Sequence, residues 1–79
     1  MALNVENVKL LLKHNANPNA KDSLGQTPMH LAVTLNYLPI VKLLDDFGGD
    51  ATIQNFQEEC PIDIALQEDH KELVLHFMS

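Results

Sequence analysis

Gly25-Gln26-Thr27-Pro28-Met29-His30-Leu31-Ala32 decides how this chain is read. The residue types run in the order of a tight turn followed at once by a helix start. Gly25 accepts a positive φ without a Cβ penalty. Thr27 suits a helix N-cap, whose hydroxyl can accept from an orphan N–H of the first turn. Pro28 fits the first helical position, where a missing N–H costs nothing. His30, three residues after the cap, stands where its imidazole can turn back to the Thr27 hydroxyl.

Sliding the chain against itself by 33 residues gives a register with no gap. Val8 falls on Val41 and Val74, Lys9-Leu10-Leu11 on Lys42-Leu43-Leu44, Pro28 on Pro61, and Ala32 on Ala65. Asn17 falls on Asp50 and Asp22 on Asn55. With this period behind it, the stretch from Thr27 to Ala32 resembles the ankyrin-repeat signature Thr-Pro-Leu-His-x-Ala, with Met29 in place of Leu. The resemblance covers essentially the whole chain. It implies an all-α solenoid of stacked helix-turn-helix units with β-turn fingers, phased as one domain over residues 1–79. The units are a partial repeat at 1–21, a complete repeat at 22–54 and a degenerate terminal repeat at 55–79. Each such unit buries its apolar face only against its neighbours, and about three are needed for stability. The first unit opens on its second helix, so the expectation is a fragment or the end of a longer array, or else a protein that borrows contacts from a partner, marginal in stability.

Helix periodicity fills in the units. Residues 5–14 carry Val5, Val8, Leu11 and Leu12 on one stripe, with Asn15 in the left-handed position that ends the helix. The complete unit has a first helix from about Pro28 to Leu35, presenting Met29, Leu31, Ala32 and Val33 to neighbours. Asn36 is expected in the left-handed position, and Ile40, Val41, Leu43 and Leu44 in the core of the second helix. Asp45 is expected at the outer edge, in water. Gly48-Gly49 ends this helix. In the last unit Glu58, Cys60 and Asp63 replace Gly25, Thr27 and His30. A thiol is a poor cap, and Asp63 offers a carboxylate to the helix dipole, or half a capping box to the Cys60 N–H. The last helix, about Lys71 to Met78, is read with Leu73, Val74, Phe77 and Met78 buried. The polar residues Glu68, Asp69, His70, Glu72 and His76 face out, as a capping unit requires.

Net charge is −6 and unevenly placed. Residues 1–39 carry three lysines against two acids, a sum of +1; residues 40–79 carry two lysines against nine acids, a sum of −7. Such a balance repels a phosphate backbone, so no nucleic-acid partner is expected. It favours a basic protein surface. Cys60 is the only cysteine, which leaves no intramolecular disulfide. Without a secretory leader or an apolar run of membrane-spanning length, the reading is a cytoplasmic or nuclear protein with no membrane partner.

Catalytic and metal chemistry are not signalled. His70 and His76 are six apart on a helix, there is no Cys-x-x-Cys, and no His pair has four-residue spacing. The acids Glu58, Glu59 and Asp63 beside Cys60 raise a thiol pKa rather than activate it. No enzyme activity, metal or cofactor is expected.

The resemblance implies a protein-binding module or scaffold that uses its fingers and concave face. The family's variable positions fall on Lys21, Ser23, Leu24, Gln26, Thr34, Leu35, Phe47, Gln54, Phe56, Gln57 and Glu59, with His14, Gln67 and Glu68 beside them. Gly25, Thr27, Pro28, His30, Ala32, Pro61 and Ala65 carry the structural motif. Leu24, Phe47 and Phe56 stand out as apolar residues where the scaffold has no core to fill, the composition of a binding hot spot. The alternative for Phe56 is packing across the finger stem or against Phe47. The resemblance also makes Asn19 a candidate for asparaginyl hydroxylation, with Leu11 eight residues before it, but with Asn17 and Pro18 where an acid and an aliphatic residue are usual. Thr52 holds that place in the next unit. Two further roles remain open at this point: an acidic inhibitor that blocks a basic surface, or a structural cap of a larger assembly. An uncovered N-terminal face on Leu3, Val5, Leu10 and Leu11 would allow self-association.

Overall fold

The computed structural model describes residues 5–14 and 17–78. Five α-helices follow one another: α1 Val5–Lys13, α2 Pro28–Thr34, α3 Leu38–Asp46, α4 Pro61–Gln67 and α5 Lys71–Met78. No strand occurs among the described residues. The helices form two rows. The short first helices α2 and α4 pack on each other, and the second helices run α1 on α3 and α3 on α5. Hairpin contacts α2–α3 and α4–α5 tie the rows together. This is a stack of helical hairpins.

The same local chemistry closes each hairpin. After α2, Asn36 takes φ 54°, its N–H donates to the Val33 carbonyl at 2.9 Å, and the Tyr37 N–H donates to the Ala32 carbonyl at 2.9 Å. This pair of bonds is the Schellman end of a helix. After α4, Asp69 takes φ 56°, and Asp69 and His70 donate to the carbonyls of Leu66 and Ala65. Asn and Asp tolerate the left-handed region because their short polar side chains bond locally. Gly48, at φ 90°, ends α3.

The core is strung along the interfaces between hairpins. Met29, Ala32, Val33, Ile40, Val41, Leu44, Ala65 and Leu73 are buried, with Leu12 and Ile64 nearly so. Ala32 and Ala65 sit in the first-helix row, where a missing γ carbon lets the helices approach. Pro39 is accommodated at the start of α3, where its absent N–H has no intrahelical partner to lose.

Two expectations are corrected. Met78 is 78% exposed rather than buried, and Leu31 is exposed at 37% rather than packed between neighbours. The helical stripe was read correctly in period, but a stripe is buried only where a neighbouring hairpin covers it. Helix α2 stops at Thr34, and Leu35 is its C-cap. Asn15 and the side chains of Val5 and Leu11 lie outside the described residues, as does Leu3; Leu10 is exposed. No helix among the described residues is long and apolar enough to cross a membrane.

Candidate functional site

Two β-turn fingers, built alike, frame the site. In the first, the Asp22 Oδ1 accepts from the N–H groups of Leu24 and Gln26, both at 2.9 Å. In the second, the Asn55 Oδ1 accepts from Gln57 at 2.9 Å and Glu59 at 3.0 Å. Asn replaces Asp without loss because only an acceptor oxygen is used. Both fingers also close through the same backbone bonds: Asp22 N–H to Gln26 O and Asn55 N–H to Glu59 O, each 2.9 Å. The turn demands a positive φ at its fourth residue, met by Gly25 at 76° and by Glu58 at 64°.

The fingers are stitched to each other. Phe56 N–H donates to the Leu24 carbonyl at 3.2 Å, and Lys21 Nζ donates to the Gln54 carbonyl at 3.3 Å. The Phe56 ring lies over Gly25 so closely that a Cβ there would fall 2.7 Å from the ring. Gly25 is thus needed both for its φ and for the ring's approach. Phe56 nonetheless remains 71% exposed, so stem packing uses only part of the ring.

His30 fastens the finger to the helix behind it. Thr27 N–H donates to His30 Nδ1 at 3.0 Å, and the Thr27 hydroxyl lies 2.9 Å from the same nitrogen. The other ring nitrogen, Nε2, lies 2.8 Å from the Glu59 carbonyl of the next finger. A carbonyl only accepts, so Nε2 carries the proton and Nδ1 is the acceptor. Thr27 and His30 are fully buried. The Thr27 link was legible in the sequence; the bond to Glu59, 29 residues away, was not.

Between the second finger and the exposed side of α2 and α4 lies a groove of about 240 Å³. Of the residues named from sequence, Leu24, Gln26, Thr34, Phe56, Gln57 and Glu59 line it, together with Gln67 and Glu68. Asn55 and Ile64 also line it and were not among the site residues named from sequence. Lys21, Ser23, Leu35, Phe47 and Gln54 do not line it. Two glutamates and no lysine, arginine or histidine stand in its wall, so its electrostatics are acidic. Leu24 at 62% exposure and Phe56 are the large apolar side chains at its mouth.

Asn19 has a structural task. Its Nδ2 donates to the Gly48 carbonyl at 3.1 Å and its Oδ1 accepts from Asp50 N–H at 2.7 Å, so one amide bridges successive units. A modifying enzyme would have to release both bonds to draw this side chain out. Asp45 is exposed, as expected, and it meets His76 of α5 at 2.9 Å.

Cys60 is the N-cap of α4 and makes no side-chain cap bond. Burial, first, pushes its thiol pKa up, and the neighbouring Asp63 carboxyl adds to the rise; the N–H groups of Asp63 and Ile62 pull the other way. The direction matches the sequence reading, but desolvation leads, with Asp63 the contributing acid. Among the described residues no three His, Cys, Asp or Glu side chains gather as a metal ion would require.

Human protein phosphatase 1 regulatory subunit 27 is 38% identical over 71 residues, covering 90% of this chain and 46% of that protein. A fowlpox virus protein, putative ankyrin repeat protein FPV219, is 51% identical over 55 residues, covering 70% of this chain and 13% of that protein. Human palmitoyltransferase ZDHHC13 is 38% identical over 69 residues, covering 86% of this chain and 11% of that enzyme. The chain thus spans less than half the length of each of these relatives. The model for ankyrin repeats, in three copies, matches residues 1–79. Stacked hairpins, paired fingers and this match lead to one conclusion: the chain belongs to the ankyrin-repeat family, whose repeats generally bind proteins and are not catalytic by themselves.

Proposed function

We propose that this chain is a protein-interaction module that holds a segment of another protein in the groove between its fingers and first helices. The observation that carries the reading is the convergence of Leu24 and Phe56, both exposed, on one groove. An aromatic anchor within a polar rim is what a binding hot spot needs. The remaining finger residues, Lys21, Ser23 and Gln54, then form its outer rim, with Leu35 and Phe47 further from it. The reading is binding rather than turnover, in keeping with a repeat that is not catalytic by itself.

The acidic wall supports a partner segment that carries lysine or arginine next to its apolar residue, steered by the charge of the C-terminal half. The similarity to a phosphatase regulatory subunit makes protein phosphatase 1 a first partner to try. Affinity capture with the wild type beside a Leu24→Ala/Phe56→Ala variant tests the reading, with circular dichroism as the folding check. A partner retained by the wild type and lost by a folded variant supports it. Equal retention by both sinks it.

The inhibitor reading differs in its salt response. A partner held by charge alone loses affinity steeply as salt rises, whereas apolar anchoring is nearly insensitive. The hydroxylation of Asn19 would be a separate property, and its two bridging bonds weigh against access in the folded state.

A further inference from the structure

The second finger is built on an asparagine where the first is built on an aspartate. Each side chain offers one oxygen to two backbone N–H groups of its own turn, Asp22 to Leu24 and Gln26, and Asn55 to Gln57 and Glu59. That use fixes which end of the Asn55 amide is Oδ1 and which is Nδ2. The turn has no task for Nδ2, and no described residue accepts a hydrogen bond from it. Asn55 is only 8% exposed, and it lines the groove. Among the described residues the one buried side-chain nitrogen or oxygen without a partner is Nε2 of His70. Asn55 Nδ2 is therefore reached from outside, and the groove is its opening. A nearly buried donor that the chain leaves unused calls for an acceptor on whatever fills the groove.

More unused amides stand along the same wall. Gln26, Gln57 and Gln67 line the groove, and their side chains make no hydrogen bond to any described residue. Each carries donors and an acceptor side by side, the match of a peptide group. A helical partner pairs its backbone groups internally and leaves such amides nothing to bond. A chain lying extended presents an N–H and a C=O at every residue, and these need partners once buried. Size points the same way. One turn of α-helix, about 10 Å across and roughly 5.4 Å long, fills on the order of 400 Å³. The groove holds about 240 Å³.

The groove stays open whatever the length of the array. Gln57, Glu59 and Gln67 stand 33 residues after Leu24, Gln26 and Thr34, and both sets line it. A further unit at either end adds another such set by the same step, which lengthens the groove without covering it.

We propose that the groove captures its partner as an extended strand, with Asn55 Nδ2 donating to a backbone carbonyl of that strand and the Gln57 and Gln67 amides pairing with neighbouring peptide groups. The proposal rests on the reading of the groove as a seat for a partner segment, and adds the conformation and the contact that hold it. The segment's apolar residue sits on Leu24 and Phe56. Its lysine or arginine meets Glu59 or Glu68 from the same face of the strand, two residues away.

Selection from a displayed library of random linear peptides, followed by fluorescence-anisotropy titration of the best synthetic peptide, tests both levels. Selected sequences are expected to share an apolar residue and a lysine or arginine two apart, the period of a strand, rather than three or four apart, the period of a helix. Asn55→Asp keeps the acceptor of the turn, as Asp22 does in the first finger, and replaces the free donor with an acceptor. It is expected to fold by circular dichroism and to raise the peptide Kd at least about tenfold, in salt that screens the added charge. The penalty should persist with every alanine-substituted version of the peptide, because the backbone carbonyl is still there. Should Asn55→Asp fail to fold, Gln57→Ala/Gln67→Ala, on exposed side chains, takes its place in the same cycle with the same expectation. Helical spacing, an unchanged Kd, or a penalty that vanishes with one alanine substitution overturns the extended capture and leaves the groove as a binding site. A library that yields no peptide dependent on Leu24 and Phe56 overturns the groove reading itself, and this proposal with it.

Discussion

The middle and last units spell the same turn in different residues. Gly25, Thr27 and His30 become Glu58, Cys60 and Asp63, yet both fingers keep the same backbone bonds and both helices start on proline, Pro28 and Pro61. The difference lies in what holds the turn. In the middle unit a buried imidazole ties the cap, the helix and the following finger together. In the last unit the turn is held mainly by the Asn55 side chain and by its packing on the unit before it. The backbone of the turn is therefore overdetermined in the middle unit, and the same turn is kept with fewer side-chain bonds in the last described unit.

The sharpest way to break this contrast is to remove the side chain at the third helical position of each unit. His30→Ala strands the buried Thr27 N–H and the Glu59 carbonyl and leaves a cavity, a loss of about 3 kcal/mol. Asp63→Ala removes an exposed carboxylate near a helix N-terminus and costs only about 0.5 kcal/mol. Urea unfolding of the two variants checks the ratio. Equal losses would mean that the imidazole is not the clasp it is taken to be.

A second pair of substitutions carries opposite signs. Gly25→Ala puts a Cβ 2.7 Å from the Phe56 ring and 2.9 Å from the Phe56 nitrogen, at a φ that already disfavours it. A loss of about 2 kcal/mol is expected. Glu58→Gly relieves the left-handed strain at φ 64°, offset in part by the greater entropy of glycine in the unfolded chain, for a net gain of up to about 1 kcal/mol. Thermal unfolding should place the two variants on either side of the wild type.

How much of this was legible in the sequence follows from range. The Thr27–His30 link spans three residues and could be read from the motif, and the 33-residue register paired Asp22 with Asn55, while the Asn36 turn was legible from its place between two helices. Neither the Phe56 ring over Gly25 nor the bond from His30 to Glu59 could be read that way, because each requires one hairpin to be placed on the next. Asn19 shows the same limit: as a sequence position it resembles a modification target, while in the fold its amide bridges Gly48 and Asp50. Of the groove, Leu24 and Phe56 were legible as apolar residues without a core to fill. Ile64 was not, because it is a nearly buried α4 residue whose side chain both packs in the core and lines the groove. Met78 failed for the converse reason. Periodicity says which residues share a face, and only the presence or absence of a neighbour says whether that face is dry.

The smallest effect concerns Cys60, where the two caps differ in a single atom type that titrates. Burial raises the thiol pKa of the folded chain above its usual value near 9.0, and Asp63 adds to the rise. A group whose pKa is higher folded than unfolded contributes stability that is fully present below the unfolded pKa and is lost as pH rises through the folded one. Stability should therefore fall as the solution is taken above about pH 9, and alkylation of Cys60 by iodoacetamide should be slower in the folded chain than in urea at every pH up to that range. Cys60→Thr supplies a hydroxyl cap and removes the titration together. It should gain at most about 1 kcal/mol at neutral pH, and the alkaline fall in stability should flatten. A variant that keeps the full alkaline slope would show that the slope does not originate in the thiol. A gain larger than the cap allows would mean that the last turn is strained by its cysteine, rather than merely held less firmly.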